Sequence, residues 1–253
     1  MNWVGFYTLI NREVGRFFSV YRQTVLPGLI SSALYILIFG FTLEQRISEI
    51  DGVSYTWFIL PGLIMMNTLT NATANTSSSM LQMKLLQQLP DLLTAPLSGV
   101  EISLAYIIGG AIRGIVNGIL VLFLGVLLTD LPIHNIYGTL LFIFLVSWAF
   151  SSMGLILGQL AENWDQMAMM QNFLLTPLSF LGGIFYSIKM LPEWAQTLSL
   201  INPIYYMING IRHTILGIGD SPLSISLIMA IILTVIFTII AMLLMQSGKK
   251  IKV

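Results

Sequence analysis

Asn67, Asn71, Asn75 and Ser78 stand at steps of four, four and three, which return them to nearly one face of a helix. Thr68, Thr70, Thr73, Thr76, Ser77 and Ser79 surround them and make this the most polar half-helix of an apolar chain. Such side chains bond helices together or line a substrate path. They are poor nucleophiles without an activating base, and no histidine or carboxylate lies in the membrane-crossing spans to supply one. Arg113 interrupts another apolar stretch about midway. A central arginine costs at least ~2.5–3.5 kcal/mol on insertion scales and faces a partner or an aqueous cavity. Candidate partners are the Asn67–Asn75 stripe and the Phe173 carbonyl, which Pro177 frees from its helical bond. The expectation is an Arg113 turned to the bundle interior, with a structural role or one toward anionic substrates. His134 and His213 lack paired carboxylates, and no spacing among them and Glu44, Asp51 and Asp130 suggests a site. No catalytic residue and no metal ligand is assigned.

What must hold these groups is a set of transmembrane helices. Gln23–Leu43, Gly52–Met83, Leu131–Ala161, Gln166–Ile188 and Ser221–Gly248 carry no Lys, Arg, Asp or Glu, and Ile102–Thr129 is interrupted only by Arg113. A helix rises 1.5 Å per residue, so ~20 residues cross the ~30 Å hydrocarbon layer. Hydrophobic residues make up 56% and charged residues 9% of the chain, against about 25% charged in a soluble domain. The expected fold is an all-α polytopic membrane protein with six transmembrane helices at about 24–43, 56–80, 102–128, 138–160, 168–188 and 223–246. They use up nearly all of the 253 residues, so 1–253 reads as one domain. The first residues lack the pattern of a cleavable signal. With no cysteine, disulfides and thiolate chemistry are excluded. No basic patch suggests nucleic acid.

Counting Lys and Arg gives the orientation. With the N-terminus inside, Arg12, Arg16, Arg22, Lys84, Lys249, Lys250 and Lys252 fall inside, and Arg46, Lys189 and Arg212 outside. Seven against three puts both termini in the cytoplasm.

Three segments outside the spans carry pattern of their own. In 2–22, Trp3, Phe6, Tyr7, Ile10, Val14, Phe17, Phe18 and Tyr21 recur at helical spacing, with Asn11, Arg12, Arg16, Ser19 and Arg22 between them. This describes an amphipathic interface helix in the inner headgroup layer. In 81–98, Leu85, Leu89, Leu92 and Leu93 are placed on one face, with Pro90 and Pro96 as breaks. That face either folds against its own bundle or offers an apolar ridge to a cytoplasmic partner. In 190–217, Leu191–Ile201 and Pro203–Gly217 are each too short to span. Pro192 with Glu193, and Asn202 with Pro203, start them as helices start. The pair is expected to form a re-entrant helical hairpin in the outer leaflet, with Trp194, Tyr205 and Tyr206 at the interface, acting as a gate or a passive plug.

Leu181-Gly-Gly-Ile-Phe-Tyr-Ser-Ile188, Leu191-Pro192, Asn202-Pro203-Ile-Tyr205 and Gly210-Ile-Arg212 resemble the closing signature of ABC transporter type-2 permeases. Phe58-Ile-Leu-Pro-Gly-Leu-Ile64 resembles that family's second span, and Lys84…Asp91-Leu-Leu-Thr-Ala-Pro96 its coupling helix. The likeness runs nearly end to end and is greatest to bacterial inner-membrane permeases encoded apart from their ATPase. The family usually has a glutamate before the Leu-Leu pair, where Pro90-Asp91 stand here.

The resemblance implies a homodimer of six-span subunits with two copies of a cytoplasmic ATP-binding ABC subunit below. By the same resemblance, Lys84, Leu85, Leu89, Asp91, Leu92 and Leu93, with Arg12 and Arg16, would couple to the ATPase. Phe185, Tyr186, Asn202, Pro203, Tyr205 and Arg212 would form the outer gate. Asn67, Asn71, Asn75, Arg113 and Phe173 are the candidates for the translocation path. The chain lacks a Gly-x-x-x-x-Gly-Lys-Ser/Thr loop, so no cofactor is expected on it, and ATP and Mg belong to the partner subunit. The leading expectation is an exporter permease of the bacterial inner membrane, with a hydrophobic or amphipathic cargo such as a drug, lipid or lipid-linked glycan. The alternative is an ion-coupled secondary transporter or channel, which would place acidic or histidine residues within spans. A membrane-embedded enzyme ranks below both.

Overall fold

Helix α1 (Trp3–Ser19) starts where the Asn2 side chain accepts a hydrogen bond from the Gly5 N–H at 3.1 Å. The computed structural model describes residues 2–44 and 49–247. Arg46, Lys249, Lys250 and Lys252, counted for orientation, lie outside the described residues. One nearly continuous helical path follows α1: α2 (Tyr21–Thr24), α3 (Leu26–Tyr35), a π-helical segment (Ile36–Phe41) and α4 (Thr42–Glu44). Strands β1 (Glu49–Ile50) and β2 (Val53–Ser54) then pair antiparallel around Asp51 and Gly52. Both turn residues have positive φ, 49° and 82°, as the tightest hairpin turn requires. This short ladder departs from the all-helical expectation. Next come α5 (Tyr55–Leu85), α6 (Leu89–Thr94), α7 (Gly99–Thr129), α8 (Ile136–Leu160) and α9 (Trp164–Leu181). A 3-10 turn at Ile188–Met190, α10 (Glu193–Ile201), α11 (Pro203–Leu216) and α12 (Leu223–Ser247) complete the chain.

Among the described residues four helical segments are long and apolar enough to cross a membrane: Tyr21–Gly40, Gly99–Thr129, Ile136–Leu160 and Leu223–Ser247. The polar stripe dilutes α5, and the Asp165, Gln166, Gln171 and Asn172 side chains dilute α9. Ile228, Ile232, Val235, Ile239 and Leu243 stand exposed along α12, as lipid permits and water does not. Apart from the two-residue strands of β1 and β2, the molecule is an all-α membrane protein.

Helix α8 is the central post, packed by α5, α7 and α12, while α5 and α7 also pack on each other. Small residues allow this. A Cβ on Gly154 or Gly158 of α8 would run into the α5 backbone at Thr73 and Ser77. Gly110, Gly114 and Gly118 of α7 leave room for Thr76, Ala72 and Thr68. Gly110, Gly114 and Gly118, like Gly154 and Gly158, repeat every four residues, a spacing that by itself predicts close helix packing, and that role holds. Several hydroxyls of the polar half-helix are absorbed in the same interfaces, while Thr70 stays exposed and bonds the Met66 carbonyl of its own helix. Thr73 Oγ1 donates to Leu69 O at 2.8 Å and Phe150 O at 3.2 Å, and Thr76 Oγ1 lies 2.7 Å from Ser151 Oγ.

The two ends of the bundle differ. One gathers α1 and α6 over the ends of α5, α7, α8 and α12, where Leu9, Met80, Leu89, Leu92, Ile102, Tyr106, Leu155 and Met245 form a separate core. The other holds the β-hairpin, α10 and α11. Two boundaries differ from expectation. The segment 81–98 is not one helix: α5 runs on to Leu85, and the break falls at Leu86–Gln88, where Gln87 has φ of 55°. Pro90 does not break a helix but sits in the first turn of α6, where its missing N–H costs nothing. The fifth apolar stretch leaves the helix at Leu181, and Gly183 at φ 78° turns the chain.

Candidate functional site

The Asn stripe divides by neighbour. Arg113, on α7, donates from Nη2 and Nε to Asn71 Oδ1 at 3.0 and 3.3 Å. Asn71 Nδ2 donates to Asn67 Oδ1 at 2.8 Å, and Asn67 Nδ2 to Gly28 O at 3.0 Å and Ser32 Oγ at 3.2 Å on α3. Three helices are thus joined by one relay. The relay borders a half-open cavity of about 310 Å³ between α2–α3 and α5, whose apolar wall includes Pro27, Tyr35, Leu63 and Met66. Asn75 leaves the cavity and accepts Arg16 Nη2 on its carbonyl at 2.7 Å and on Oδ1 at 3.3 Å. Phe173 is not brought to this group. It is 76% exposed on α9, beside Met169, Met170 and Leu174, so the partner chosen for Arg113 is the asparagine and not the Phe173 carbonyl. The Phe17 ring, 5.9 Å from the Arg113 guanidinium, adds a second contact.

Helix α1 does not rest on a simple apolar face opposite a basic one. Its buried side is Leu9, Glu13 and Phe17, one residue per turn, set against α7. Glu13 is 1% exposed, and its position between two buried apolar residues at spacing four was the signal available in the sequence. Arg12 Nη2 bonds Glu13 Oε1 at 2.8 Å and Tyr106 OH at 2.8 Å, while Arg16 Nε lies 3.8 Å from Glu13 Oε2. A second cavity, of about 340 Å³, opens beside Arg12, Glu13 and Gln82. At its start α1 is tied to α7 by Asn2 N–H donating to Glu101 Oε1 at 2.9 Å, while Glu101 Oε2 takes the Ser98 N–H in a capping box.

The residues expected to couple to an ATPase separate into two sets. Lys84 is buried and donates from Nζ to the Gln159 and Ala161 carbonyls at 2.9 and 2.7 Å. It caps the carbonyl end of α8, where a cation is favoured, and presents no charge outward. Leu89 and Leu92 are buried in the α1/α6 core at 2% and 9% exposure. Leu85 and Leu93 are exposed, together with Leu86 and Asp91. The four leucines therefore do not share a face: one pair folds against the bundle and the other faces out.

At the opposite end, the stretches that carried the family resemblance touch one another. Arg212 is buried, with its guanidinium 3.9 Å over the Phe58 ring and Nη2 donating to Gly183 O at 2.6 Å. A Cβ on Gly62 would meet the Ile184 Cα at 2.8 Å, so only glycine lets the chain after α9 lie on α5. Tyr55 OH donates to Phe185 O at 3.2 Å. Phe185 stacks with Tyr35, Phe39 and Phe180 at centroid distances of 5.9, 5.5 and 6.0 Å, and Tyr186 OH donates to Phe180 O at 2.8 Å. Tyr205 is buried rather than interfacial, whereas Trp194 is exposed. Lys189 pairs with Asp220 at 3.3 Å and Asp51 at 3.7 Å. Desolvation, which lowers its pKa, is outweighed by Asp220 and then Asp51, so the ammonium titrates above its ordinary value. At 61% exposure these pairs contribute little stability.

Asn202 does two jobs at the joint of α10 and α11. Its Oδ1 accepts the Ile204 N–H at 3.0 Å with Pro203 in the first turn, and its Nδ2 donates to Leu178 O on α9 at 2.6 Å. Asn202→Ala is expected to cost about 1–2 kcal/mol, seen as a lowered melting temperature in detergent with Pro203→Ala as the milder comparison.

Residues 4–216 match the family described as ABC-2 type transporter. The inner membrane transport permease YadH of Escherichia coli (strain K12) is 38% identical over 247 residues, covering 98% of this chain and 96% of that protein. Nodulation protein J of Rhizobium leguminosarum bv. viciae is 28% identical over 204 residues, with 77% and 75% covered. Nodulation protein J of Rhizobium meliloti (strain 1021) is 24% identical over 217 residues, with 85% and 82% covered.

Proposed function

This chain belongs to the ABC-2 type transporter family, and from that premise we propose that it is the permease subunit of an ATP-driven exporter. In this reading it works as a homodimer over two separate ATP-binding subunits in the inner membrane, with both termini cytoplasmic. Helices α5 and α9 act as spans beside the four more apolar ones, and α10–α11 form the re-entrant hairpin at the outer end. The cargo is hydrophobic or amphipathic.

The observation that carries this reading is the half-open cavity at Arg113, which pairs an amide and guanidinium floor with an apolar wall. Such a lining suits a molecule with a polar head and an apolar body. Coupling follows from the α1/α6 end. ATP-driven closure of the partner would push on the exposed Leu85, Leu86, Asp91 and Leu93. The buried Leu89 and Leu92 would pass that push to α1, whose Arg16 holds Asn75, one turn from Asn71. The aromatic group around Phe185 lies beyond Tyr35 and is suited to close the cavity outward. Ion coupling is less well supported, because among the described residues no carboxylate forms an ion pair with Arg113.

Affinity purification of the tagged chain in mild detergent tests the partner. A stoichiometric ATP-binding subunit is expected with the parent chain. Leu86→Asp with Leu93→Asp is expected to lose at least nine-tenths of it while remaining monodisperse, since both side chains are exposed. Aspartate at buried Leu89 or Leu92 would disrupt the fold instead. Recovery of the chain alone, with no ATPase activity, would turn the reading toward a secondary transporter.

A further inference from the structure

We propose that the cavity between α3 and α5 binds an amphipathic anion, its phosphate or carboxylate on Arg113 and its apolar part along Tyr35, Leu63 and Met66. The inference rests on reading this cavity as the translocation path and adds the charge of the cargo's head.

Arg113 keeps its positive charge at any physiological pH. Both of its hydrogen bonds go to one neutral atom, Asn71 Oδ1, and among the described residues it has no ion-pair partner. A half-buried cation in an apolar bundle is costly unless a countercharge or water reaches it. Nothing lining the cavity supplies that charge: its polar residues are Gln23, Thr24, Asn67, Thr70, neighbouring serines and Asn71, all neutral. Glu13, the buried carboxylate of α1, faces the second cavity and is engaged by Arg12 and Arg16. Asn71 holds the guanidinium as a positioning residue, because its amide turns toward Asn67 and leaves its oxygen for Arg113. A planar fork with no acid of its own fits an oxyanion better than it fits a cation or a neutral hydroxyl. The cavity, about 310 Å³, accommodates a head and a few methylenes, with any longer chain leaving through the open side.

The test is native mass spectrometry of the purified full chain in a neutral maltoside detergent. The probes are dodecyl phosphate, dodecyltrimethylammonium and inorganic phosphate. Dodecyl phosphate is expected to bind, at least tenfold more weakly to Arg113→Gln and within about threefold of the parent to Arg113→Lys. Asn71→Asp would supply the missing countercharge internally. It is expected to weaken binding at least tenfold in protein that remains monodisperse, the ion pair with Arg113 offsetting the lost donor to Asn67. Undiminished binding by Asn71→Asp, or equal binding of the cationic amphiphile, would overturn the proposal. Inorganic phosphate binding as tightly as dodecyl phosphate would overturn its amphipathic part and leave a free-anion site. None of these arms uses an ATP-binding subunit or transport, so they fail or succeed separately from the exporter reading.

Discussion

Replacing Gly154 with valine is expected to prevent the chain from accumulating in folded form. The Cβ of any larger residue there would meet the α5 backbone at Thr73, with the Thr73 Cα 2.9 Å and its carbonyl carbon 3.0 Å away. A side chain can swing aside, but a helix backbone in the middle of a bundle cannot. On its other flank α5 is held by α7, where Gly110 and Gly114 bring Thr76 and Ala72 into contact. Moving α5 off α8 would also part the Thr73 hydroxyl from the Phe150 carbonyl and Thr76 from Ser151. Overpacking costs typically about 1–3 kcal/mol where side chains adjust, and a backbone clash at a three-helix crossing lies at or above the top of that range. Gly15 supplies the contrast, since a Cβ there meets nothing within 4 Å. Gly15→Ala is expected to be neutral or to stabilise by about 0.5–1 kcal/mol. Fluorescence-detected gel filtration with a thermal ramp measures both. A Gly154→Val protein as monodisperse and heat-resistant as the parent would show that α5 and α8 need not touch.

The same crossing explains what the sequence could and could not reveal. Apolar length and charge gaps are one-dimensional properties, so the long helices, the glycine steps and the Asn202-Pro203 helix start were legible. Which neighbour each face meets is not. Asn67, Asn71 and Asn75 sit on one face, as spacing required, yet that face meets α3 at one level, Arg113 at the next and Arg16 at the third. Leu85 and Leu89 looked like one ridge because an unbroken helix was assumed between them. The left-handed Gln87 divides them and sends Leu89 inward. Lys84 stands by resemblance among the residues expected to couple to an ATPase, and only the tertiary arrival of the α8 terminus gives its ammonium the Gln159 and Ala161 carbonyls. Glu13 is the plainest omission. An acid on an amphipathic helix is ordinarily solvated; its place midway between Leu9 and Phe17 at spacing four is a weak sign of the buried side, and it is α7 that covers it.

Removing both arginines that flank Glu13 is expected to release α1 from the bundle. In Arg12→Met with Arg16→Met the carboxylate stays 1% exposed, its Cβ seated against Gly109, with no cation left beside it. Stranding a buried charge in this way costs about 3–5 kcal/mol. The lower end applies here, because Arg12 and Arg16 are themselves 41% and 30% exposed and water already screens the pairs. Faster hydrogen exchange across Trp3–Ser19 and a lowered melting temperature are the expected readouts. Adding Glu13→Gln to the double variant is expected to restore most of the loss, since a neutral amide needs no counter-ion. That non-additivity separates charge balance from packing: a triple variant no better than the double would assign α1 docking to Leu9 and Phe17 alone. Arg16 also links α1 to Asn75, so in the exporter reading the triple variant, docked but without that link, is expected to pass less of the partner's motion to the Asn71–Arg113 level. Cross-linking between α1 and α5 across the nucleotide cycle would register the difference as movement of α1 without a matching movement of α5.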